Sequence, residues 1–208
     1  MSTSTHFLPD LDWRQPVLDW LAQNVPPKRL EHILGVEQTA IDLATRFGSS
    51  SELAGRAGLL HDLAKYFTAE KLLAEAHRFG VEVDSIQAQS PHLLHADVSA
   101  KLATELFYEH DSTVLRAIAN HTLGEPCMDL LSQVLYVADW IEPTRRGNEV
   151  EVVRQASERS LIEAVLVGCD QTILELIASR RLIHPRTVST RNWAAEVFHT
   201  QAQEKPQR

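Results

Sequence analysis

The chain has 208 residues, 44% of them hydrophobic, and a formal net charge of -8, which fits one domain with a real core. An acidic balance argues against non-specific nucleic-acid binding, which wants a basic face, and no apolar run approaches the ~20 residues needed to cross a bilayer. Two widely separated cysteines, Cys127 and Cys169, and an N-terminus without a signal-peptide pattern predict a cytoplasmic protein without disulfides.

The dominant period is helical. DLDWRQPVLDWLAQNV predicts a first helix, capped by Asp10 or Asp12 and stopped at Pro26-Pro27. KRLEHILGVEQTAIDLATRF predicts a longer amphipathic helix ending at Gly48. Ser49 to Ser51 can cap the next one, which carries ELAGRAGLLHDLAKYF. Thr68 opens TAEKLLAEAHRF, which Gly80 closes. A polar connection over roughly residues 81–91 leads into HADVSAKLATELFYEH. Asp111 caps STVLRAIANH, TLGEP interrupts the pattern, and CMDLLSQVLYVADWIE runs to Pro143. From about Glu149 to Leu182 apolar and charged residues again alternate at helical spacing. Alternating β-branched runs are absent, so the expected fold is all-α. One domain is expected over residues 1–200, with a disordered tail at 201–208.

Within this pattern GLLHDLAK poses a chemical problem. His61 and Asp62 fall in an apolar helical run, where a carboxylate is costly unless something compensates it. Lys65 lies three residues from Asp62 and four from His61, so the three can share a helix face. Ala57 and Gly58 precede them and leave room for an ion or for another helix to approach, and beside metal ligands Gly58 reads as the space that admits metal and phosphate. Imidazole and carboxylate are natural ligands of a divalent metal. Further ligands are offered by His32 in RLEHILGV, Asp139 in LYVADWIEP, His95 in LLHADVSA and His121 in AIANHTLG. A single histidine in an apolar helix is more often a hydrogen-bonded core residue than a ligand. The ordered set, one or two residues on each of several helices, raises the odds. Glu142 either orients a histidine or ends its helix before Pro143. His6, His77, His110 and His199 read as surface residues, and His92 as structural.

In the order His32, His61-Asp62, Asp139 the chain resembles the HD-domain phosphohydrolase superfamily, all-helical enzymes that hydrolyse phosphate esters or anhydrides at bound metal. RLEHILGVEQTAIDLA, AGLLHDLAK, LLHADVSAKLA, AIANHTLG and LYVADWIEPTRRG, in that order, are similar to the YqeK-type family of this superfamily. The likeness has its motif core at about residues 29–147 and extends through C-terminal helices to about residue 192. It implies an HD-domain helical bundle that cleaves diadenosine tetraphosphate symmetrically into two ADP. It also implies His32, His61, Asp62 and Asp139 as metal ligands. The metal is then iron, as one or two ions, with manganese as a substitute. His95 and His121 would complete a second metal site or contact phosphate. Arg29 and Lys65 match family cations, with Asp62 and Lys65 at the chemistry, and His184 and Thr187 in LIHPRTVSTRN match positions that reach the nucleotide. Two departures are visible. Ala96 stands where the family usually has glycine, and Thr144-Arg145-Arg146-Gly147 replaces its glycine, arginine and aromatic. The distance of Arg145 from Asp139 matches that of the family's arginine, so the resemblance favours Arg145 over Arg146 as the phosphate contact.

Two other functional readings accompany the first. One keeps the metal and changes the substrate to a nucleotide monophosphate or a guanosine alarmone. The other is a nucleotide sensor without turnover. The expected partner is a small nucleotide, with no nucleic acid and no membrane. Apolar faces in residues 149–182 would support a homodimer.

Overall fold

A computed structural model describes residues 13–204, which form eleven α-helices and one 3-10 turn, with no strand among the described residues. Asp10 and Asp12, the expected first caps, lie outside the described residues. Helix α1 (Arg14–Asn24) ends before Pro26, and Pro27 takes the first position of α2 (Pro27–Phe47), where its missing N–H costs nothing. Gly48 closes α2 in the left-handed conformation at φ 79°. Ser50 caps α3 (Ser51–Leu60) by accepting from the Leu53 amide.

The HD pair departs from its expected helix. α3 ends at Leu60, and residues 61–66 form consecutive turns, although His61 keeps helical angles. The Ala64 amide leaves the helical ladder to donate to Ser99 Oγ at 3.0 Å, and Lys65 N bonds back three residues to Asp62 O. A side chain on a distant helix thus tightens the chain here.

Thr68 caps α4 (Ala69–Arg78), and the expected polar connection contains α5 (Ser85–Gln89), opened by an Asp84–Gln87 capping box. A 3-10 turn (Pro91–Leu94) runs directly into α6 (His95–Phe107). Asp111 caps α7 (Ser112–Asn120) and Asp129 caps α8 (Leu130–Ile141). The region after Glu149 divides at Ser160 into α9 (Asn148–Arg159) and α10 (Leu161–Ala178). Pro185 begins α11 (Pro185–Glu204), so the helix continues past Thr200, where the sequence pattern had suggested a tail.

Helix α2 lies along α3 and α8, α7 bridges α3, α6 and α8, and α10 joins α8 to α9 and α11. Ile33, Val36, Leu59, Leu60, Leu135 and Tyr136 are fully buried between them, each such side chain contributing roughly 1.5–3 kcal/mol by removal from water. Gly58 sets the closest approach. A Cβ there would lie 2.7 Å from the Glu37 Cα and 3.1 Å from its amide nitrogen. Gly58 therefore serves helix contact and not, as the sequence suggests, space for metal and phosphate: it holds α2 against α3 and brings His32 and His61 to a ring separation of 5.6 Å. Among the described residues no helix is long and apolar enough to cross a membrane.

Candidate metal centre

Four histidines converge, and each is oriented from behind through Nδ1. Those of His61, His95 and His121 lie 2.7, 2.5 and 2.7 Å from the carbonyl oxygens three residues earlier, on Gly58, His92 and Ile118. The three histidines stand at helix ends, where such carbonyls are within reach. His32 lies inside α2 and uses Glu142 instead, with Nδ1 3.0 Å from Oε1. An oxygen acceptor meets only an N–H, which assigns the proton to Nδ1 in each ring and turns the Nε2 lone pair toward the centre. His92 itself is exposed, and its contribution is the carbonyl that fixes His95.

The four Nε2 atoms surround Asp62. Its Oδ2 is 3.4 Å from His61 Nε2 and 3.9 Å from His32 Nε2. Its Oδ1 is 3.4 Å from His95 Nε2 and 3.7 Å from His121 Nε2. Asp139 Oδ1 stands 3.1 Å from His32 Nε2. The Nε2 atoms of His95 and His121 are only 3.1 Å apart. Acceptors facing acceptors repel unless a cation lies among them. Nε2 of His32, Nε2 of His61 and Oδ1 of Asp62 are also buried without a hydrogen-bond partner, which is costly for polar atoms. His32, His61 and Asp62 form one compact ligand group, and Asp62, His95 and His121 form a second. The donor set fits a divalent metal.

Charge follows the same plan. Burial pushes the Asp62 carboxyl up, but the charge of protonated imidazoles facing it, His61 foremost, outweighs that and holds the group well below its usual range, a role that falls to a bound cation when the rings are neutral. Burial also opposes ionisation of Asp139, which His32 and Arg145 overcome, keeping it well below its usual range. His95 is driven well below a normal histidine by burial, then by Lys65 and His121, so it stays neutral and ligand-competent.

The stability consequence has a definite sign. Between the ordinary histidine value of 6.5 and the depressed folded value, the unfolded chain binds a proton that the folded chain does not, so His95 contributes stability that is lost as pH falls below 6.5. Urea midpoints of metal-free protein are expected to drop through that range, and His95→Gln to flatten the drop. An unchanged slope in the variant would refute the assignment.

Other predicted residues take clear places. Arg29 Nη1 donates to Asp62 Oδ2 at 3.0 Å. Arg145 donates to Asp139 through Nη2 at 2.7 Å and to its carbonyl through Nε at 2.9 Å. Arg146 turns back to the Pro143 and Arg145 carbonyls, so Arg145 is the one at the centre. Lys65 Nζ donates to His95 Nε2 at 3.1 Å, as does Thr122 Oγ1 at 3.1 Å, a residue not singled out by the sequence. A cleft of about 410 Å³ opens from Lys65, His95 and Thr122 toward Arg181, His184 and Thr187. His184 donates to Asp84 Oδ2 at 2.6 Å and accepts from the Arg186 amide. His77, His110 and His199 are exposed, and His6 lies outside the described residues.

Residues 29–144, more than half of the chain, match the HD domain family. This chain belongs to that family. Among relatives of this HD-domain chain, a symmetrical bis(5'-nucleosyl)-tetraphosphatase of Bacillus subtilis is 36% identical over 86% of the chain and 96% of the relative. One from Halalkalibacterium halodurans, bearing the same name, is 34% identical over 86% and 95%. A crystal structure of a predicted HD superfamily hydrolase involved in NAD metabolism, from Clostridium acetobutylicum, superposes with a TM-score of 0.85. That chain is 35% identical, with 87% of this HD-domain chain and 96% of the other covered.

Proposed function

We propose that this protein is a metal-dependent hydrolase that cuts diadenosine tetraphosphate symmetrically into two ADP. The observation that carries the reading is the division of ligands around Asp62. Its Oδ2 faces His32 and His61 while its Oδ1 faces His95 and His121. The nucleotide-sized cleft beside Lys65 and the names of the two bacterial relatives support the substrate.

In this reading His32, His61, Asp62 and Asp139 would hold one ion, and Asp62 with His95 and His121 would hold a second. Iron is the proposed metal, with manganese as its substitute. When bound, such an ion neutralises phosphate charge and makes a water acidic enough to supply hydroxide near neutral pH. The oxygen of a water adds to one inner phosphorus of the tetraphosphate, and the bond from that phosphorus to the central bridging oxygen breaks. The bridging oxygen leaves with the second ADP. Lys65 at the His95 end and Arg29 with Arg145 at the His32 end meet the charge that develops on the two halves. His184 and Thr187 contact the nucleotide in the cleft. Asp62 keeps the ligand groups in register, and Arg29 offsets part of its buried charge. The working unit is a single domain of the cytoplasm whose partner is the nucleotide. Exposed Leu174 and Ile177 on α10 support a homodimer.

The test is to strip purified protein with chelator, restore it with iron(II) or manganese(II), and separate the products of diadenosine tetraphosphate by chromatography. ADP alone, formed only after metal is restored, is expected. AMP with ATP would exclude symmetric cleavage. Turnover confined to nucleotide monophosphates or guanosine alarmones would move the protein to a different substrate. Nucleotide binding without turnover would make it a sensor.

A further inference from the structure

The reading above, on which this inference rests, leaves half of the substrate without a seat. A bond broken at Asp62 divides diadenosine tetraphosphate into two equal halves. The cleft lies on the His95 side of the centre, between Lys65 and Thr187. The second nucleoside must therefore leave the centre on the His32 side. Two cations mark that side. Arg29 is bonded to Asp62 Oδ2 and Arg145 to Asp139 Oδ1, and both of these oxygens flank the same nitrogen, His32 Nε2, at 3.9 and 3.1 Å.

Beyond Arg29 lies an aromatic ring that the mechanism does not use. Tyr66 closes the turn that carries the HD pair, and it is 50% exposed. The Arg29 guanidinium carbon lies 5.8 Å from its ring centroid. One arginine side chain thus connects the buried carboxylate to a half-exposed aromatic surface. Every nucleobase has a π-face, so a cation that meets phosphate beside an aromatic that meets base is the usual construction of a nucleotide seat.

We infer that Tyr66 and Arg29 seat the second nucleoside of the substrate: its base stacks on the Tyr66 ring while Arg29 and Arg145 meet its phosphates. The seat lets the enzyme distinguish a dinucleoside polyphosphate from a nucleotide with one base, whose adenosine takes the cleft and leaves Tyr66 unused.

The decisive comparison is between diadenosine tetraphosphate and adenosine tetraphosphate, measured as the ratio of their kcat/KM values on metal-loaded protein. Wild type is expected to prefer the two-base substrate. Tyr66→Ala is expected to reduce that ratio about tenfold, within the range for loss of one base–aromatic stack. Tyr66→Phe, which keeps the ring, should preserve it to within about twofold. A ratio unchanged in Tyr66→Ala, or lost equally in Tyr66→Phe, would overturn the seat while leaving symmetric hydrolysis intact. Wild-type protein that does not cleave diadenosine tetraphosphate at all would overturn both.

Discussion

Asp62→Asn should lower hydrolysis by about a thousandfold or more, a loss of ~4 kcal/mol in transition-state stabilisation, while the metal-free protein remains folded. Asp62 is the residue through which the two ligand groups meet, since His32 and His61 face one of its oxygens and His95 and His121 the other. An amide of the same shape removes the negative charge that a cation needs and presents an N–H to at least one pair of imidazoles. It also breaks the pair with Arg29, whose side chain is 23% exposed against 2% for Asp62 and can turn to water, so the metal-free variant melts at lower temperature than wild type but stays folded. The two effects separate in a melting experiment. A ligand at a hundred times its Kd stabilises the folded state by ~2.7 kcal/mol, and for a chain of this size each kcal/mol moves Tm by about 2–4 °C. Manganese is therefore expected to raise the wild-type Tm by roughly 5–10 °C and to leave the variant unmoved. A variant that kept both its metal-induced shift and its activity would remove Asp62 from the centre.

The cluster around Asp62 was legible because each member breaks a local rule. His32, Asp62 and Asp139 are polar residues in apolar helical runs, and such violations mark function or a buried partner. Helix limits were legible where one residue decides them, as Thr68, Asp111 and Gly48 do through caps and a left-handed turn. What was hidden depends on partners distant in sequence. α3 stops at Leu60 because the Ala64 amide is taken by Ser99, and no helical propensity carries that information. Gly58 offered space for an ion or a helix, and only the position of the Glu37 backbone distinguishes them. Arg145 and Arg146 are adjacent and chemically equal, so only the family's spacing favours Arg145 in the sequence, and its hydrogen bond to Asp139 agrees. The long α11 is a different case. Pro185 stands at a first-turn position that suits proline, a cue to where the helix starts, while no residue near Glu204 marks where it ends.

Glu142 is such a distant partner for His32, and its removal is expected to lower metal affinity by about 10–100-fold. The residue is 0% exposed, and its carboxylate is fully engaged. Oε1 meets His32 Nδ1 at 3.0 Å and the Thr144 hydroxyl at 2.5 Å, while Oε2 accepts from the Thr144 amide at 2.6 Å. Burial pushes this carboxyl up, but the two Thr144 donors and His32 bring it below its usual range, so it meets His32 as an anion. Gly35 makes the contact sterically possible, since a Cβ there would lie 2.6 Å from Oε2. A carboxylate in this position fixes the Nδ1–H tautomer of His32, aims Nε2 at the centre and makes that nitrogen a better donor to metal. Glu142→Gln keeps the volume but turns one acceptor into an N–H donor, against either the Thr144 amide or the His32 N–H. Titration calorimetry with manganese should then show a Kd about tenfold weaker for the glutamine variant and weaker still for Glu142→Ala. If Glu142 only terminates α8, both variants will melt at lower temperature in the metal-free state while their manganese Kd equals that of wild type. That equality would rule out a positioning role.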